Sequence, residues 1–168
     1  MRARVLLPLL AVLAAVVPGP AAAAPALTVP AWVAPVDGAL EVTRPFDPPP
    51  GPYAAGHRGV DLAGAPGSPV RAAGVGVVVF AGTVAGRPVV SIDHPNGLRT
   101  TYEPVDPSVG AGQPVARGAP IGTLVGGHPG CPRAACLHWG VRKGQTYLDP
   151  MALLRPVHVR LLPLGRAG

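Results

Sequence analysis

Aromatic side chains make up only 4% of the 168 residues: two Trp, three Tyr and two Phe. A core must therefore be assembled from Val, Leu, Ile and Ala. Lysine occurs once, at Lys143, and acidic residues number eight. The cations are scattered and lack interleaved aromatics, which argues against a nucleic-acid partner. No window of a dozen residues beyond the N-terminal segment holds a clean 3.6-residue period, so long amphipathic helices are not expected. Cysteine is confined to Cys131 and Cys136. An even count in an exported chain makes a disulfide plausible, while Cys136 also remains open as a metal ligand.

What the chain has in quantity is glycine and proline, 23 and 24 residues. They cut it into short Val-rich runs: Pro69 to Ala73, Gly76 to Ala81, Pro88 to Asp93, Leu98 to Glu103, Pro120 to Val125 and Leu137 to Arg142. Runs bounded by turn residues predict strands, and His94-Pro95-Asn96-Gly97 predicts a hairpin connection. One helical turn is expected near Met151 to Arg155. The expectation is a nearly all-β domain over residues 41–155. A Pro/Ala-rich lead-in (25–40) precedes it and a C-terminal strand and tail (156–168) follow. Val109 to Gly122 resembles half of a lipoyl or biotinyl carrier motif, but no lysine stands where such a carrier holds its cofactor.

Residues 1–24 read as a secretory signal. Arg2 and Arg4 precede an apolar run from Val5 to Val17, and Ala22-Ala23-Ala24 closes it. The run is shorter than the roughly 20 residues a membrane span needs, so no stable span is expected once the signal is removed. The net charge of +6 includes those two arginines. Their loss reduces 14 Lys+Arg to 12 against 8 Asp+Glu, or +4. A mild positive balance suits an anionic surface such as a bacterial wall.

Gly56-His57-Arg58-Gly59-Val60-Asp61-Leu62 is the stretch that points to chemistry. Flanking prolines forbid a helix. In a straight strand His57 and Asp61 would lie about 13 Å apart, so a bend at Gly56 and Gly59 is needed to bring them together. An imidazole and a carboxylate supply two of three protein ligands of an open, catalytic zinc site. His138 is the leading candidate for the third.

His57-Arg-Gly-Val-Asp61, Gly67 to Ala73, Gly76 to Gly82, Ile92 to Gly97, Thr101-Tyr102, Val109 to Gly122 and Leu137-His138-Trp-Gly-Val-Arg142 follow one another in the order of a known series. Over roughly residues 40 to 155 the chain resembles the lysostaphin-type (LytM-like) zinc metallopeptidases. The resemblance implies antiparallel sheets of the duplicated hybrid motif and cleavage of peptidoglycan peptides. It also implies one zinc per chain held by His57, Asp61 and His138. Two family histidines do not carry over. The acid/base position falls on Cys136 and the oxyanion-binding position on Pro104. A degenerate site follows as an expectation, with weak peptidase activity or a non-catalytic module that binds wall peptides or regulates a partner hydrolase. His128, in the glycine-rich loop Gly126 to Gly130, is the candidate replacement base, against a reading as a solvated loop residue. Glu103 is expected on the opposite strand face. His94, His158 and Asp93 are expected outside the site. The expected location is secreted or wall-associated.

Overall fold

The computed structural model describes residues 31–51 and 54–155. The expected secretory signal (1–24), residues 25–30 of the lead-in, and the tail with His158 lie outside the described residues. The elements are β1 (Val42–Arg44), β2 (Gly59–Gly64), β3 (Pro69–Arg71), β4 (Gly76–Val84), β5 (Arg87–Asp93), β6 (Leu98–Glu103), β7 (Val105–Pro107), β8 (Pro114–Val115), β9 (Pro120–Leu124), β10 (Ala135–Lys143) and β11 (Thr146–Leu148). A 3-10 helix, Pro150–Leu154, follows with Asp149 as its cap: the Met151 N–H donates to Asp149 Oδ1 at 2.9 Å. The all-β expectation holds, with every pairing antiparallel.

The large sheet runs β1-β2-β10-β6-β5-β4-β8, with β11 on β10, and the small sheet runs β3-β9-β7. Strand β6 shows how sequence sets the faces. Leu98, Thr100 and Tyr102 are buried, whereas Arg99, Thr101 and Glu103 are not. That alternation puts one face of the large sheet on the core and leaves the other polar. Val60, Leu62, Val90, Ile92, Tyr102, Trp139 and Val141 supply the core side, and Val70, Val105, Ile121 and Leu124 come from the small sheet. Each fully buried large apolar side chain contributes about 1.5–3 kcal/mol. The Tyr102 hydroxyl accepts from the Ala73 N–H at 2.9 Å, and burial pushes its pKa up to about 12.

Lead-in residues 31–40 close one margin of this core. Val33 N–H donates to Ala73 O and Arg71 N–H to Pro35 O, both at 2.9 Å. The Trp32 ring lies edge-on to His94, with centroids 4.8 Å apart. His94 is itself buried, its ring held between Val75 O and Thr100 Oγ1, each at 2.8 Å.

Candidate metal centre

His57 stands just before β2, where residues 47 and 57 form an isolated bridge. The turn is tight enough that a Cβ on Gly56 would lie 2.7 Å from Asp47 O. Gly59 makes room from the other side: a Cβ there would meet Trp139 O at 2.4 Å and the His138 ring at 2.8 Å. These two glycines serve close approach, and the bend they permit returns the His57 ring over Asp61. Asp61 pairs in register with His138 across β2 and β10, so both project from the polar face.

The three candidate ligand atoms form a nearly equilateral triangle. His57 Nε2 lies 3.0 Å from Asp61 Oδ1 and 3.0 Å from His138 Nδ1, and His138 Nδ1 lies 2.9 Å from Asp61 Oδ1. His57 Nδ1 sits 2.7 Å from Pro45 O. A carbonyl only accepts, so Nδ1 carries the proton and neutral His57 presents a lone pair at Nε2. Lone pairs from two imidazoles and a carboxylate thus converge on one point, an arrangement that repels itself unless a cation or extra protons fill it. Ligand bonds of 2.0–2.1 Å in a tetrahedron give edges of about 3.3 Å, close to this triangle. The residues fit a divalent metal such as zinc. At Asp61 burial raises the pKa, but the His138 hydrogen bond and the charges of His57, His138 and His128 outweigh it and hold the carboxyl below its usual value.

His128 is not a solvated loop residue. Its side chain is 10% exposed, its Nε2 lies 3.8 Å from Asp61 Oδ1, and its ring stacks on His138 at 12° with centroids 6.1 Å apart. Its Nδ1–H donates to Pro129 O at 3.1 Å, which turns Nε2 toward the site. The loop that carries it is fastened to β10 by a Cys131–Cys136 disulfide, Cα–Cα 5.7 Å. Cys136 is thereby committed to sulfur pairing and is not a metal ligand.

The expectation for Glu103 is corrected. It pairs in register with His138, so the two side chains share a face. Glu103 lines the same trough as His57, His128 and His138, where its Oε1 accepts from Arg87 Nε at 2.7 Å. Alternation from Pro104 does not set the face of Glu103, because Pro104 is buried at a bend where β6 ends. The cross-strand partner of His138 was the informative quantity. Asp93 pairs with Arg99 at the far end of the trough.

Comparison with known proteins agrees with this geometry. Over 131 residues the chain is 56% identical to an uncharacterized protein of Mycobacterium tuberculosis (strain ATCC 25618 / H37Rv), covering 76% of this chain and 53% of that protein. An uncharacterized protein of Mycobacterium bovis matches equally. The chain spans about half the length of these curated relatives. Among solved structures it is similar to a zinc-containing peptidase from Vibrio cholerae, with TM-score 0.60 and 30% identity, covering 70% of this chain and 38% of that one. It is likewise similar to the catalytic domain of the antimicrobial peptidase lysostaphin from Staphylococcus simulans, with TM-score 0.58 and 25% identity, covering 68% and 92%. Residues 55–150, more than half the chain, match the model of peptidase family M23, and with the folded site described above the chain belongs to that family.

Proposed function

We propose that this domain is an exported zinc-dependent endopeptidase acting on peptidoglycan peptides. The observation that carries this reading is the convergence of His57 Nε2, Asp61 Oδ1 and His138 Nδ1 on the floor of an open polar trough, within 4.8 Å of one another. Zinc, when bound there, polarises a carbonyl and brings the pKa of its water to about 7. The chain's own residues do the rest. The Pro45 carbonyl fixes the tautomer of His57. His128 Nε2 holds the proton taken from the attacking water and returns it to the leaving amine. Export rests on the leader in residues 1–24, and the disulfide suits an oxidising compartment.

A second reading is a module that binds wall peptides or a partner hydrolase without cutting. It draws on Cys136, locked in a disulfide, at the position of the family's acid/base histidine, and on Pro104, which has no side-chain donor, at that of its oxyanion-binding histidine. Metal analysis and release of peptides from purified cell walls decide between the readings. One zinc per chain and metal-dependent release are expected, and Asp61→Ala should lose both. Zinc binding with no release would move the assignment to the binding module. Cleavage that survives loss of the metal would overturn the zinc mechanism.

A further inference from the structure

The charge of this molecule is distributed unevenly. The described residues hold ten Arg and Lys and eight Asp and Glu. Five of the cations, Arg44, Arg58, Arg87, Arg99 and Arg142, line the trough, together with the carboxylates Glu103 and Asp93. Setting Asp61 aside as a candidate ligand, five cations and five carboxylates remain elsewhere among the described residues, a balanced set. Several of those are paired one to one, as in Arg71 with Asp37 and Arg133 with Glu41. Within the trough, Arg87 is neutralised by Glu103 and Arg99 by Asp93. Arg44 and Arg142 make no ion pair among the described residues, so the face that carries the metal site keeps a positive excess.

Arg44 joins this face from the edge strand β1. Val42 pairs with Leu62 but Arg44 pairs with Asp61, so two residues of β1 oppose one of β2. A bulge of this kind re-aims side chains next to functional sites. Here it sets Arg44 on the site face, at the head of a cross-strand row of Arg44, Asp61, His138 and Glu103. Strands lie about 4.8 Å apart, so Arg44 is one strand from the nearest ligand. Arg44 is exposed, and among the described residues its guanidinium makes no ion pair. A planar fork of donors free in this position matches a carboxylate bidentately.

We propose that the trough selects its peptide by a free carboxylate next to the bond held at the metal site, and that Arg44 is the residue that takes it. The proposal rests on the reading of the site as a wall-peptide groove and narrows its substrate class to anionic peptides. The test uses a wall-derived stem peptide with its carboxylates free and the same peptide with each carboxylate converted to a primary amide. Calorimetric titration of the zinc-loaded protein should show the free form binding at least about tenfold tighter, with the preference shrinking as salt rises. Zinc-stripped protein should keep most of the preference, which separates Arg44 from direct carboxylate–metal binding. Arg44→Gln should bind both peptides alike while retaining its zinc, and Arg44→Lys should recover part of the difference. Equal affinity of the wild type for the two peptides, or a preference untouched by Arg44→Gln, would overturn the proposal. A preference without any cleavage would leave it standing and remove the peptidase activity instead, so the two readings fail separately.

Discussion

At the scale of single residues, the site offers two groups that can handle a proton, and their surroundings separate them. Glu103 Oε1 already accepts from the Arg87 guanidinium at 2.7 Å, which occupies that oxygen. His128 has a free Nε2 turned toward Asp61. His128→Ala should therefore lower cleavage by on the order of 10²–10⁴ with zinc content unchanged. Glu103→Gln should cost less than about tenfold in rate, because it removes a neighbour and not the base. Steady-state kinetics of both variants, each checked for bound metal, would read this, and a larger loss in Glu103→Gln would transfer the role to Glu103. The clustering of His57, Asp61 and His138 was legible in the sequence because these residues sit in a recognisable order around glycines. Glu103 was misplaced because a face is set by strand register, which the sequence does not print. His128 was only a candidate because loop geometry depends on the disulfide that fastens it.

At the scale of elements, the Val-rich runs bounded by Gly and Pro announced β3, β4, β5, β6, β9 and β10. Strands β1, β2, β7, β8 and β11 were illegible for a physical reason. Most have two or three residues, too few for a period, and β2 opens with the glycine that lets His138 approach. The Cys131–Cys136 bridge was one of two open alternatives, and its effect on the loop from β9 to β10 needed coordinates. The bridge spans a sequence separation of five residues. Closing a loop this short restricts the unfolded chain by about 2 kcal/mol. Replacing both cysteines by serine should lower stability by roughly that amount in denaturant titration. Zinc should stay, because none of its ligands lies in the loop. Activity should fall toward that of His128→Ala, because the loop no longer holds the imidazole over Asp61. Full activity in the doubly substituted protein would show that the loop keeps its place without the bridge.

At the scale of the whole molecule, the large sheet divides two tasks between its faces: Tyr102 and Trp139 fill the core, while their strand neighbours Glu103 and His138 face the trough. Histidine is divided in the same way. His57, His128 and His138 gather at the trough, whereas His94 is buried at the margin where the lead-in packs. There the Val75 carbonyl accepts from Nδ1–H, and Nε2 accepts from the Thr100 hydroxyl, so the ring is built in as a neutral group. Burial pushes its pKa below the ordinary value of 6.5; the Val75 hydrogen bond and Asp93 oppose that shift without cancelling it. Between the folded and unfolded values the unfolded chain binds the proton more readily, so stability rises with pH. The contribution is fully present above about pH 6.5 and is lost as pH falls through that value toward the folded one. Metal-free protein should therefore melt at a lower temperature at pH 5 than at pH 7.5. His94→Gln, which keeps a donor and an acceptor, should flatten part of that slope. The metal-free state is needed because acid also releases zinc from His57 and His138, which would lower the melting temperature at the other face. Trp32 fluorescence reports on the His94 side alone if Trp139, buried in the core, is replaced by Phe in both proteins. The acid transition of Trp32 should then move to lower pH in His94→Gln, and an unchanged transition would place the sensitivity elsewhere in the chain.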